Sequence, residues 1–154
     1  VKPTLAVLSP VIPYTTTADF LVSETIWHES DRLRALGQYP PNQHWGVLED
    51  EPFGPGLGIA SIERPTWDWL KEKDRVRQVL GLRAYEELAW DLRLNVIACR
   101  LRYFVDPLPL PKLEYGLAAR ATYWWKVYNR GQVDRRREYT LNAETIPWKH
   151  ISWQ

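Results

Sequence analysis

The chain has 154 residues and a mass of 18.1 kDa, and 45% of its residues are hydrophobic while 25% are charged. This composition excludes a disordered or fibrous protein, and the length predicts a single domain over residues 1–154. The net charge of +1 excludes a strong overall field that would draw the chain onto nucleic acid, so we expect no nucleic-acid partner.

The first 14 residues are apolar, but three prolines interrupt them. Proline cannot continue a helical hydrogen-bond ladder, so this segment is predicted to be neither a signal peptide nor a membrane span. We expect residues 1–14 and 145–154 to be extended tails. No apolar run in the chain reaches membrane-spanning length.

The first long helix is predicted over about residues 18–30, after a run of three threonines, residues 15–17, that can accept its free N–H groups. Glu29 ends its apolar side, on the same stripe as Val22 and Ile26. The spacing therefore places a carboxylate against hydrophobic neighbours.

The remaining pattern predicts an irregular segment and four further helices. Residues 37–58 are rich in glycine and proline, which indicates a loop with at most a small β element. The helices are expected at about 65–73, 83–105, 113–130 and 134–144. Because apolar residues cover most of the circumference of 83–105, that helix should be the buried centre. The fold class is therefore mainly α, with five or six helices around one central helix.

Several reactive side chains are interpreted as structural. Cys99, the single cysteine, lies in an apolar helical pattern and is expected to be a core residue. His28 and His44 lack the cysteine or carboxylate neighbours of a metal site, so neither a metal nor another cofactor is predicted. The run Arg135 to Arg137 is interpreted as a solvated helix face.

Four motifs resemble, in order and spacing, those of soluble lytic transglycosylases and related phage lysozymes. The Glu-Ser pair ends the first helix, a glycine-led stretch follows, an asparagine opens the central helix, and a Tyr-Asn-x-Gly segment comes last. They stand here as Glu29-Ser30, Gly58 to Thr66, Asn95-Val96 and Tyr128 to Gly131. The chain is also similar to lysozyme-like proteins of tailed phages at Arg100 to Tyr103, Leu108-Pro109 and Trp125 to Asn129.

The resemblance implies a lysozyme-like fold and cleavage of the β-1,4 bond between MurNAc and GlcNAc in peptidoglycan. Glu29 would be the general acid and base, because a carboxylic acid kept neutral by apolar surroundings can protonate the leaving oxygen. Tyr128 is predicted to donate a hydrogen bond that orients it. The expected substrate-binding residues are Ser30, Ser61, Glu63 and Asn129, with Trp45 and Trp125 as sugar-stacking rings.

The resemblance allows two kinds of glycan-cleaving chemistry. A lytic transglycosylase needs no second carboxylate, whereas a hydrolase would need a partner acid, for which Glu49, Asp50 and Glu51 are candidates.

Ser61 stands where the family has a glutamine that reaches the substrate. The alternative is therefore a lysozyme-like virion protein that has lost catalysis and binds other virion proteins. The expected location is the virion, or the host cytoplasm or periplasm on delivery.

Overall fold

The computed structural model describes residues 1–8, 10–31 and 56–148, and these residues are mainly helical. None of the helices in these ranges has both the length and the apolar character needed to cross a membrane. The α-helices and strands are α1 (Lys2–Val7), α2 (Thr16–Glu29), β1 (Gly56–Leu57), β2 (Ile62–Glu63), α3 (Arg64–Lys71), α4 (Asp74–Leu80), α5 (Leu92–Phe104), α6 (Gly116–Val127) and α7 (Arg136–Glu144). Short 3-10 helices precede α5 and α6, at Tyr85–Ala89 and Leu113–Tyr115.

The prediction of helix α2 is confirmed to within two residues. Thr15 is its N-cap, and the Thr15 hydroxyl accepts a hydrogen bond from the Ala18 N–H at 3.1 Å. The apolar stripe through Val22 and Ile26 is buried, and Glu29 is the last helical residue.

The prediction that residues 1–14 form an extended tail is wrong. Residues 2–7 form α1, which packs against α5, and Leu5 and Ile12 are buried in the core. Pro3 is compatible with this helix because it lies in the first turn, where its missing N–H has no intrahelical acceptor. At the other end of the chain, Ile146 is also buried, while residues 149–154 lie outside the described residues.

Helix α5 lies at the centre, in contact with α1, α2, α3 and the β2 strand, but it is shorter than predicted. The expected helix over 83–105 is divided, because the Asp91 carboxylate accepts a hydrogen bond from the Leu94 N–H at 3.0 Å and starts a new helix there. Trp90, at the break, is 69% exposed and does not belong to the core. Cys99 is fully buried in α5, as expected.

Two other helices differ from the sequence pattern. The pattern missed α4, which buries only Val76 and Leu80 and therefore carries little apolar periodicity. The helix expected over 113–130 begins with a 3-10 turn, and α6 proper starts at Gly116. Gly131 closes the end of α6 as predicted, since its N–H donates to the Trp125 carbonyl at 2.8 Å.

The strands β1 and β2 form a minimal antiparallel hairpin, with Gly56 opposite Glu63 and Leu57 opposite Ile62. Most of the predicted irregular segment, residues 37–55, lies outside the described residues. The hairpin turn packs against α5 and, as shown below, forms part of the candidate site.

A buried ion pair fixes α2 against α6. The Arg120 guanidinium donates to both carboxylate oxygens of Glu24, with its Nε at 2.9 Å from Oε2 and a terminal nitrogen at 2.7 Å from Oε1. The Tyr139 hydroxyl of α7 donates to the same carboxylate at 3.3 Å. These contacts join α2, α6 and α7 in one polar cluster within the core.

Replacement of Arg120 by methionine should therefore strongly destabilise the protein, because it leaves the Glu24 carboxylate buried without its charged partner. We expect a loss of about 3–5 kcal/mol in the free energy of unfolding, measured by urea denaturation. The double variant Glu24→Leu with Arg120→Met should recover most of that loss.

The matched control is Arg136→Met, which removes the exposed ion pair with Asp134 and should cost no more than about 1 kcal/mol. Equal losses for Arg120→Met and Arg136→Met would contradict a structural role for the buried pair.

Candidate active site

An open cavity of about 260 Å³ lies where the end of α2, the hairpin, α5 and the segment after α6 meet. Five of the residues predicted from the sequence line it: Glu29, Ser61, Glu63, Tyr128 and Asn129. They come from positions up to 100 residues apart, so the fold brings together side chains that the motifs only implied to be close.

The other predicted residues lie elsewhere. Ser30 is 1% exposed, its hydroxyl donates to the Ile26 carbonyl, and it is not part of the cavity wall. The Trp125 indole N–H donates to the Gln132 carbonyl at 3.0 Å, and its ring stacks beneath the Arg136 guanidinium, also away from the cavity wall. The predicted stacking residue Trp45 and the candidate partner acids Glu49, Asp50 and Glu51 lie outside the described residues, as does His44, which was predicted not to bind a metal.

Glu29 receives its hydrogen bond from a different residue than predicted. The indole N–H of Trp124, a residue only 1% exposed, donates to Glu29 Oε1 at 3.2 Å. The Tyr128 hydroxyl instead donates to the Ala60 carbonyl in the hairpin turn. The expected Tyr128–Glu29 bond is therefore corrected to a Trp124–Glu29 bond, because the packing of α6 on α2 points the indole at the carboxylate.

The half-buried setting of Glu29 changes its acidity. Burial raises the pKa of Glu29 from 4.5 to about 7, since removal from water penalises the charged form. The Trp124 hydrogen bond and the Arg135 charge lower this pKa, while the Glu138 and Glu63 charges raise it. Near neutral pH the side chain therefore populates both the acid and the carboxylate.

His28 precedes Glu29 and adds no charge beside it near neutral pH. Burial lowers the pKa of His28 to about 4, with a smaller lowering by Arg135. Its ring packs edge-on against Trp124 at 4.8 Å, and its Nδ1 is 2.9 Å from the Asn142 side-chain nitrogen. Among the described residues, no group of three or more histidine, cysteine, aspartate or glutamate side chains is arranged to hold a metal ion.

The hairpin turn is held in place by contacts from three elements. From α5, the Asn95 side-chain oxygen accepts from the Ala60 N–H at 3.4 Å. Tyr128 donates to the Ala60 carbonyl from the end of α6, and the Ser61 hydroxyl donates to the Glu29 backbone carbonyl at 3.4 Å. Asn95 and Tyr128 thus position the turn, a role that the sequence motifs did not reveal.

Three arginines on the cavity wall were not predicted as site residues: Arg102, Arg130 and Arg135. The sequence offered a partial signal only for Arg135, which belongs to the basic run interpreted as a solvated face. Arg102 and Arg130 lie within the motifs at 100–103 and 128–131, but nothing in those motifs indicates which way their side chains point.

Comparisons with models of known protein families, with curated protein sequences and with solved structures returned no match. The chemistry of the site itself is therefore the basis for assigning a function.

Gly58→Ala should disrupt the turn that carries Ser61. Gly58 has φ +71°, and a Cβ there would lie 1.9 Å from the Asn95 side-chain oxygen and 2.5 Å from the Leu88 carbonyl oxygen. We expect a loss of at least about 3 kcal/mol in the free energy of unfolding, from the left-handed backbone and the clash together. Gly81→Ala is the control, because Gly81 also has positive φ but nothing within 4 Å. It should cost less than Gly58→Ala, about 1–3 kcal/mol from the backbone conformation alone, and an equal cost for both variants would contradict the close approach.

Glu29→Gln should change how stability depends on pH. The protonated form of Glu29 is favoured in the folded state, so its contribution is complete below about pH 4.5 and is lost as the pH rises through about 7. Relative to Glu29→Gln, the free energy of unfolding of the wild type should fall by about 3 kcal/mol between pH 4.5 and 8, since each unit of pKa shift is worth about 1.4 kcal/mol. Chemical denaturation at several pH values measures this difference, and His28 titrates in both proteins. A difference in unfolding free energy between the two proteins that does not vary with pH would show that the pKa of Glu29 is not raised.

Proposed function

We propose that this protein cleaves the β-1,4 bond between MurNAc and GlcNAc in peptidoglycan, with Glu29 as general acid and base. The observation that carries the proposal is a partly buried carboxyl group, with its pKa raised to about 7, in the wall of an open cavity. A carboxyl group with a pKa near the working pH can both give and take a proton, which glycosidic cleavage requires.

The arrangement supports the following sequence of steps. The neutral Glu29 carboxyl donates its proton to the glycosidic oxygen as the bond between that oxygen and C1 breaks. The resulting Glu29 carboxylate then accepts a proton from the nucleophile that attacks C1. Because Trp124 holds Glu29 Oε1, the other carboxyl oxygen, Oε2, is the one left to exchange the proton with the substrate.

Two nucleophiles are chemically possible, and they distinguish the enzyme classes. In a lytic transglycosylase the muramyl sugar's own hydroxyl attacks C1, and Glu29 alone is sufficient. In an inverting hydrolase a water attacks C1, and a second carboxylate accepts its proton in place of Glu29. In a retaining hydrolase the second carboxylate first bonds to C1, and Glu29 then accepts the proton of the water that displaces it. Glu63 is the other carboxylate that lines the cavity within the described part of the chain, so it is the residue to test for that role.

A lysozyme-like fold is part of the same proposal. The mainly helical architecture, the central α5 and the minimal hairpin beside the end of α2 are compatible with it. The proposed partners are peptidoglycan strands and, for a phage protein, other virion proteins, with action in the particle or in the host envelope on delivery.

Glu29→Gln should lower the release of fragments from purified peptidoglycan by at least about 100-fold, because glutamine cannot transfer the proton. The matched control is Glu144→Gln, which removes an exposed carboxylate on α7 outside the cavity and should retain full activity. Wild-type activity should fall as the pH rises through about 7, as Glu29 loses its proton.

Mass spectrometry of the products separates the remaining possibilities. An anhydro product indicates a transglycosylase and a reducing end indicates a hydrolase, in which case Glu63→Gln should also reduce the rate. Undiminished activity of Glu29→Gln would reject the mechanism. No product from the wild type would favour the alternative, a virion binding or structural protein.

A further inference from the structure

Besides Glu29, the cavity wall carries three guanidinium groups, and one of them forms an ion pair within the protein. Arg135 forms two hydrogen bonds with the Glu138 carboxylate, at 2.9 and 2.6 Å. Its charge is thereby largely neutralised. The contacts of the other two guanidinium groups, Arg102 and Arg130, show whether a carboxylate neutralises their charge in the same way.

Arg102 is buried without an acidic partner in the described part of the chain. One terminal nitrogen donates to the Val127 carbonyl at 3.0 Å and weakly to the Tyr128 carbonyl at 3.4 Å. The guanidinium also lies 5.5 Å from the centre of the Trp69 ring and 6.0 Å from the centre of the Tyr128 ring. Burial lowers the pKa of Arg102 and the neighbouring Arg130 lowers it further, while Tyr128, Tyr103 and Asp106 have smaller opposing effects.

Arg130 is exposed at the cavity and forms no ion pair with any of residues 1–8, 10–31 or 56–148. Its backbone is left-handed, with φ +53°, a conformation that an arginine adopts at a cost. The two guanidinium groups on this wall repel each other, and neither forms an ion pair with a carboxylate of residues 1–8, 10–31 or 56–148. An anion bound from solution would relieve this repulsion.

We propose that Arg102 and Arg130 bind a carboxylate of the glycan substrate, so that the site selects acidic peptidoglycan strands over neutral N-acetylglucosamine polymers. This inference rests on the proposed function and names the substrate class of the same site. The planar guanidinium of arginine matches the geometry of a carboxylate, which can accept two parallel hydrogen bonds. In peptidoglycan such a group is either the lactyl carboxylate of MurNAc or a carboxylate of the stem peptide.

Binding can be measured without turnover in the Glu29→Gln background by isothermal titration calorimetry. Three tetrasaccharide probes separate the sources of charge: an uncharged N-acetylglucosamine oligomer, an alternating GlcNAc-MurNAc oligomer with free lactyl carboxylates, and the same oligomer bearing stem peptides. We expect at least one acidic probe to bind about 10- to 100-fold more tightly than the neutral probe. Tighter binding of the peptide-free acidic oligomer assigns the carboxylate to the sugar, and tighter binding of the peptide-bearing probe alone assigns it to the stem.

Arg130→Gln is the informative variant, because Arg102 also holds the end of α6 and its loss would disturb the fold. Arg130→Gln should abolish the preference for the acidic probe and leave binding of the neutral probe unchanged. Arg137→Gln removes the same charge from an exposed position outside the cavity and should keep the preference. Both variants should melt within about 2 °C of the parent, since neither arginine forms an ion pair within the described part of the chain.

Equal affinity for all probes, no measurable binding of the acidic probes, or equal weakening of all probes by Arg130→Gln would each overturn the inference. Its failure is distinct from failure of the proposed function. If Glu29→Gln abolishes cleavage while charge makes no difference to binding, the enzyme assignment stands and the carboxylate subsite does not. If the wild type cleaves no substrate, while the preference for the acidic probe still depends on Arg130, the carboxylate subsite is supported and the enzyme assignment is not.

Discussion

The buried contact between α2 and α6 is the constraint on which the candidate site depends. Arg120 and Glu24 set the relative position of the two helices through a bidentate ion pair. One turn further along each helix, Trp124 packs against His28. The next residue of α2 is Glu29, so the register set by the ion pair brings its carboxylate to the Trp124 indole. Helix α7 completes the cluster, because the Tyr139 ring stacks on Trp124 and its hydroxyl binds Glu24.

The acidity of Glu29 follows from how charges are distributed around it. An unpaired arginine beside the carboxyl would hold its pKa low, but the Glu138 carboxylate binds Arg135 and offsets that effect. His28 is neutral over the same range of pH. Burial therefore dominates, and Glu29 keeps its proton to about neutral pH. Arg102 and Arg130 form no ion pair with any described residue, and in the proposed mechanism they attract an anionic substrate while the acid is still protonated.

Backbone strain is concentrated around the same cavity. Among the described residues, the non-glycine positions with positive φ are Asp31, Ser61 and Arg130. Two of them line the cavity, and Asp31 comes two residues after Glu29. Such conformations persist only where surrounding contacts enforce them, and they are concentrated in functional sites. Here the contacts of Asn95 and Tyr128 with the hairpin turn hold Ser61 in place, and that strain is compatible with a preorganised site.

The sequence by itself determined the features that depend on neighbouring residues. Capping at Thr15, the apolar stripe of α2 and the glycine that ends α6 are local effects, so the mainly helical class and the place of Glu29 at a helix end could be predicted. Helix α4 and the division before α5 were missed, because short helices with few buried residues and a carboxylate cap produce weak periodicity. Only the tertiary structure decided which aromatic residue binds Glu29. Trp124 lies in the last turn of α6 and Tyr128 directly follows that helix, and the choice between them depends on the crossing of α6 with α2. The raised pKa of Glu29 and the closeness of Arg102 to Arg130 are also decided by the tertiary structure. Both depend on packing between elements that lie far apart in the chain.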